Sequence, residues 1–223
     1  DPLAEKYYSI SPYAYCANNP VRHIDPNGKE VREGSGAYCA ENASIKKLAN
    51  YLAIHDDPNS IMILAHGIYN KGDRFASEIN IQTYNFKTKE WQNNFITNGE
   101  QLYVFLILHS KTWKKFMNGK IDPSNLHIVF YSCGSSSLIR KFSSFSAFKD
   151  ITFIAPDRKL RILNNNETEI SDEVKDNYNN HIRVFGTWRT FKNGKEPMIN
   201  GNYNGNNKPG TKGFKYESTF LYR

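Results

Sequence analysis

The stretch Ile128-Val129-Phe130-Tyr131-Ser132-Cys133-Gly134-Ser135-Ser136-Ser137 runs apolar up to one cysteine and then turns on small residues. Upstream, Ile61-Met62-Ile63-Leu64-Ala65-His66-Gly67 has the same form and stops at one histidine. Both runs are too short for helices and continuously apolar, the pattern of strands buried on both faces in a parallel sheet. A third run, Ile151 to Ala155, ends at Pro156-Asp157. His66, Cys133 and Asp157 therefore each follow the end of an expected strand. If the three strands are parallel, the three residues emerge on one sheet edge, where ligands of such sheets bind.

Helical patterns lie between and around these strands. From Asn42 to His55, Ile45, Leu48, Ala49 and Leu52 recur at i, i+3, i+4, i+7, with Asn42 or Ser44 as cap. Gly99 to Met117 is the clearest helix, with Leu102, Phe105, Leu106, His109, Trp113 and Phe116 on one face and Asn118-Gly119 as its stop. His109 reads as a packed or rim histidine of that stripe. Ser137 to Phe148 is a third helix. Ile79 to Phe86 and Glu90 to Ile96 read as a hairpin, and Ile182 to Phe191 as one further strand before an Asn193-Gly194 turn. Asn164 to Asn180 reads as a polar surface excursion and Met198 to Gly213 as a long flexible loop, with Phe214 to Tyr222 returning as an edge strand. The expected fold is α/β: a mostly parallel sheet flanked by helices, joined by right-handed crossovers, with a β-hairpin insertion.

The chain has 223 residues and 39% hydrophobic content, enough for one sizeable core or a core plus an appendage. Lys+Arg 29 against Asp+Glu 22 gives a net charge of +7, but these residues are scattered, as on a solvated face, so nucleic-acid binding is not expected. Three cysteines without CxxC spacing support neither a disulfide scaffold nor a zinc ribbon. Six dispersed histidines include no HExxH, so no metal or other cofactor is expected. No apolar stretch reaches membrane-spanning length and no signal-peptide pattern is seen. The opening Asp1-Pro2, without methionine, reads as the tail of a longer protein.

The chemistry follows from the pair. A thiol attacks a carbonyl as thiolate, and its pKa drops beside an imidazolium or a helix N-terminus. Cys133 has both in prospect: His66 across the sheet edge and a helix behind it. The backbone N–H groups of Gly67, Cys133 and Gly134 are candidate oxyanion donors, and His66 would protonate the leaving amine. The competing interpretation is an inert buried cysteine and a strand-end histidine.

Residues 1–30 differ from the rest, with Pro, Tyr and Asn every few positions; short β pieces and turns are all they allow. Tyr13-x-Tyr15-x-x-Asn18-Asn19-Pro20, followed by Asp25-Pro26-x-Gly28, resembles the end of the core domain of RHS-repeat proteins, the polymorphic-toxin carriers of bacteria. That resemblance covers about 30 residues. It implies a division into residues 1–30 as the end of the RHS core, 31–41 as a polar linker and 42–223 as a toxin domain. It also implies delivery into a target cell by a contact-dependent secretion system, the RHS shell of the parent chain as a partner, and a cognate immunity protein. Asp25 matches an aspartate of the self-cleavage motif. Lys29 stands where self-cleaving members often carry an apolar residue, so Asp25 reads equally as a turn-forming Asp-Pro.

Ala65-His66-Gly67 and Ser132-Cys133-Gly134, in that order and each after an apolar strand, resemble the cysteine-peptidase clan of caspases, gingipains, separase and CHAT domains. The resemblance implies a caspase-like α/β sandwich, Cys133 as nucleophile, His66 as acid and base, and a protein substrate in the target cell. The Gln-Ala-Cys of caspases is absent. Asp157 or Asp73 would favour a basic residue before the scissile bond, if either is more than an exposed loop aspartate. Three alternatives stand beside this one. An α/β-hydrolase-like acyl hydrolase or transferase would take His181 as base, although Tyr131-Ser132-Cys133-Gly134-Ser135 lacks the glycines of that elbow. A nuclease toxin is motivated by the net charge. A binding toxin would act without chemistry.

Overall fold

The computed structural model describes residues 23–24, 32–33, 48, 51–52, 57–85, 88, 90–163, 167–176, 178–196, 208–211 and 214. The chain is a mixed α/β protein. Its strands in order are β1 (His23–Ile24), β2 (Arg32–Glu33), β3 (Ser60–Leu64), β4 (His66–Ile68), β5 (Glu78–Asn85), β6 (Glu90–Ile96), β7 (His127–Tyr131), β8 (Thr152–Pro156), β9 (Leu160–Ile162), β10 (Thr168–Lys175), β11 (His181–Phe185) and β12 (Trp188–Phe191). Helices α1 (Gly99–His109) and α2 (Lys111–Met117) precede β7, and α3 (Ser136–Phe142) joins β7 to β8.

The three apolar runs are the three parallel strands. The central sheet has the order β12-β8-β7-β3, with β3 parallel to β7, β7 parallel to β8, and β12 antiparallel at the edge. Every residue of β3 is buried, as are Ile128 to Tyr131 and Phe153 to Pro156. Such strands need cover on both faces. One face carries an aromatic cluster: Phe153 meets Phe130 and Phe148, and Phe148 meets Trp113 of α2 edge-on at 5.5 Å between centroids. Edge-to-face pairs of this kind add about 0.5–1.5 kcal/mol each beyond area burial. On the other face Tyr131 packs edge-on against Trp188 and its hydroxyl donates to the Pro209 carbonyl at 2.7 Å.

That second contact corrects the expectation of a flexible loop before residue 213. Lys208 to Thr211 form a buried turn on the sheet, tied by Asp57 N–H to the Gly210 carbonyl at 2.9 Å. Gly210 has φ +87° and lies against Met62 and Val129. Lys208 places its ammonium 4.6 Å from the ring of the helical residue Tyr51, a cation–π contact. The remainder of that loop, and Phe214 to Tyr222 apart from the buried Phe214, lie outside the described residues.

The hairpin is present as β5 and β6, and β4 extends it to three strands. Four other expectations are corrected. The helix of residues 99–117 breaks at Ser110, whose extended backbone ends α1 while its hydroxyl accepts from Trp113 N–H and starts α2. The cap is decisive because it turns Trp113 into the core. The third helix ends at Phe142, and Ser146–Phe148 is a separate 3-10 turn. The strand expected over residues 182–191 is two strands in two sheets, because Gly186 N–H turns to the Ile170 carbonyl and Thr187 N–H to Asp157 Oδ1. The polar excursion contains β10, which pairs antiparallel with β9 and β11. Charge pairs hold that sheet (Arg158–Asp172, Arg161–Glu173 and Arg183–Glu169), so hydrophobic alternation does not reveal it. At the N-terminus β1 and β2 form a short antiparallel pair, the second strand falling within the expected linker. Among the described residues no helix is long and apolar enough to cross a membrane.

Two outcomes test this packing. Gly210→Ala is expected to lower stability by about 1–3 kcal/mol in urea unfolding, since a Cβ would need a positive φ and would meet Met62. Burial at the start of β7 pushes the His127 imidazole down to about 4, against the pull of Asp57. Below about pH 6.5 the unfolded chain takes up a proton that the folded chain refuses. Stability should therefore fall as pH drops from there towards 4, by up to about 3 kcal/mol, and His127→Gln should flatten that slope.

Candidate active site

The sheet register relates the candidate residues by a common offset. Ile61 faces Ile128 and Leu64 faces Tyr131, an offset of 67 residues, which is also the separation of His66 from Cys133. Ile128 faces Phe153 and Val129 faces Ile154, an offset of 25 residues, which carries Cys133 to Arg158. His66, Cys133 and Arg158 share these offsets but lie past the ends of the paired strands, His66 in β4 beside β5, Cys133 in a turn and Arg158 in a bend. Backbone contacts tie the chain beyond the strand ends. Ala65 N–H donates to the Tyr131 carbonyl at 3.2 Å and Gly134 N–H to the Arg158 carbonyl at 2.8 Å. The Cys133 carbonyl fills the space where a side chain on Gly67 would begin, so only glycine fits there.

Cys133 is partly buried, and its sulfur is engaged with β9. The Leu160 N–H donates to Sγ at 3.4 Å, and the thiol donates to the Leu160 carbonyl at 3.7 Å. Burial pushes the thiol above its ordinary pKa and outweighs the opposing pull of the Leu160 N–H and Lys159. The expected depression by a helix and an imidazolium is therefore corrected for the resting site: α3 begins three residues later, while the sulfur faces Leu160. Gly134 follows with φ +55°, and a Cβ there would stand 2.5 Å from the Tyr69 hydroxyl.

His66 opens β4, opposite Asn80, and is exposed. Asp157 is not in an open loop; its carboxylate accepts from Thr187 N–H at 2.7 Å and pairs with Arg189 at 3.4 Å, so both oxygens are used inside the fold. Asp73 is exposed in the β4–β5 connection, with its N–H on the Asn70 carbonyl. Gly134 N–H, a candidate oxyanion donor, is committed to Arg158. His109 is exposed, with its ring 4.6 Å from Phe105. His181 opens β11 opposite Lys175 and is exposed. Asp25 lies outside the described residues. Among the described residues no group of three or more His, Cys, Asp or Glu is placed to hold a metal.

The structure adds three groups to this neighbourhood. Arg158 pairs with Asp172 at 3.2 Å, while its buried Nε has no partner among the described residues. Asp172 also accepts from Lys159 N–H at 3.3 Å. Tyr69, just after β4, has a buried hydroxyl that likewise has no partner among the described residues. Arg158 was one step from Asp157 and follows from the strand offset. Tyr69 and Asp172 carry no sequence signal, because their approach depends on how β4 and β10 leave their sheets.

Because the resting group is a thiol, its alkylation by iodoacetamide should rise with pH through an inflection above that of free cysteine, about 8.5. Peptide mapping of the Cys133 adduct across pH measures it, and an inflection near 6 would mean a standing thiolate. No protein-family model matches this chain, and neither a curated protein nor a solved structure matches it significantly.

Proposed function

We propose that the chain is the toxin-bearing tail of an RHS effector and that residues 42–223 form a caspase-like cysteine peptidase acting on a target-cell protein. The observation that supports the chemistry best is the shared offset: the β3–β7 register and the His66–Cys133 spacing are both 67 residues. Residues level with each other in a parallel pair project to the same face, and continuation of that register past Leu64 and Tyr131 would give thiol and imidazole a common side of the sheet edge. The RHS reading rests on the motif between Tyr13 and Gly28.

With the thiol held neutral by burial, His66 acts as a general base at the moment of attack rather than as one half of a standing ion pair. The Cys133 proton passes to the imidazole as sulfur adds to the carbonyl carbon. The imidazolium then returns that proton to the leaving amine, and water hydrolyses the thioester. An incoming substrate must displace the Leu160 backbone from the sulfur, so closure by β9 keeps the empty site quiet. Asp157, Arg158 and Asp172 are bound into ion pairs around the site and set its local charge. An immunity protein would protect the producing cell by covering this edge.

Expression in a bacterium tests the reading. Wild type should be toxic and generate new protein N-termini; Cys133→Ala should abolish both, and His66→Ala should lower cleavage by about 10²–10⁴-fold. Toxicity equal to wild type in Cys133→Ala, without new N-termini, would sink the peptidase. Loss with His181→Ala but not with His66→Ala would favour an acyl hydrolase or transferase.

A further inference from the structure

The Tyr69 hydroxyl is shut off from solvent and has no hydrogen-bond partner among the described residues. An unpaired buried hydroxyl is unfavourable, so its retention calls for a reason, of which a role at a reacting centre is one. Its position is specific: the oxygen stands 2.5 Å, and ring carbons 3.1 and 3.2 Å, from where a Cβ on Gly134 would lie. The phenol therefore sits against the residue immediately following Cys133, and the positive φ of Gly134 makes that space available.

One of the three backbone donors expected at this place is spent. An acyl group on a cysteine leans on the backbone N–H groups around the nucleophile, but Gly134 N–H is held by the Arg158 carbonyl at 2.8 Å. We propose that the Tyr69 hydroxyl is a catalytic group of this site, the donor that stabilises the oxyanion formed when the Cys133 sulfur adds to a substrate carbonyl. The inference rests on the reading of Cys133 as nucleophile. As the S–C bond forms, the carbonyl π pair moves onto oxygen and accepts the Tyr69 O–H hydrogen bond. The pair returns as the C–N bond breaks and His66 protonates the amine; the phenolic proton never leaves Tyr69.

The surroundings keep that proton in place. Burial first, then Cys133 once ionised and the charge of Asp172, hold the phenol well above the ordinary tyrosine pKa, so it remains a donor throughout the working range. Asp172 is itself anchored by Arg158 and by Lys159 N–H. The hydroxyl is thus in place before the oxyanion forms, which is what such stabilisation requires.

Two reagents separate this role from a structural one. Acylation of Cys133 by p-nitrophenyl acetate passes through an oxyanion, whereas alkylation by iodoacetamide does not. In the full chain with Cys16 and Cys39 replaced by serine, Tyr69→Phe should slow acylation of Cys133 by roughly 100-fold. Alkylation should stay within about twofold once the thiolate fraction is matched by pH. Losing an unpaired hydroxyl should leave thermal stability equal or higher. Unchanged acylation would overturn the Tyr69 role while leaving the nucleophile standing. Equal slowing of both reactions would also overturn it, by showing that Tyr69 acts on the thiol or the fold. Absence of Cys133 acylation in the parent chain would overturn both the donor and the nucleophile.

Discussion

Parallel pairing of Ser60 to Leu64 with His127 to Tyr131 is the constraint on which the site depends. It aligns two stretches separated by α1, α2 and the β4–β6 sheet, and ends them level at Leu64 and Tyr131, two residues before His66 and Cys133. A slip of one residue would turn each buried side chain of β3 to the opposite face. The identity of those side chains resists such a slip. Ile61 and Ile63 lie on the aromatic face, and Met62 and Leu64 on the face that carries Tyr131 and the turn at Gly210. Burial on both faces is therefore what sets the level of two polar residues that follow it.

The two covers are different in kind. On one face Trp113, Phe148, Phe153 and Phe130 form a connected aromatic set, and Ser110 is what aims Trp113 into it. On the other, a four-residue turn from the distant end of the chain reaches Tyr131 through one hydrogen bond and occupies the space above Met62. That turn lies against the face next to the strand end that presents Cys133, so the C-terminal region takes part in holding the site's scaffold.

Around Cys133 burial and charge act against each other. Burial keeps the sulfur protonated, while Lys159 and the Leu160 N–H favour its anion. Arg158 and Asp172 neutralise one another beside it. The result is a neutral thiol engaged by the backbone of Leu160.

Much of this was legible from residue order alone. Ile-Met-Ile-Leu and Ile-Val-Phe-Tyr declare buried strands because no half-exposed strand tolerates apolar residues at every position. His66 and Cys133 follow as strand-end residues, and the β5–β6 hairpin follows from its β-rich arms. Hidden from that reading were features that depend on partners far along the chain. β10 has one core residue, Ile170, among polar ones that form ion pairs with β9 and β11, and the break at Gly186-Thr187 exists because Asp157 and Ile170 accept its N–H groups. The Lys208 to Thr211 turn reads as loop because its composition is polar and Gly-Pro-rich, and only Tyr131 and Met62 make it core. Likewise nothing local marks Tyr69 or raises the Cys133 thiol. Residue types determined the strands and the two candidate reactive groups; the packing of separate sheets against one strand end decided their surroundings, because burial and hydrogen-bond partnership are properties of neighbours in space.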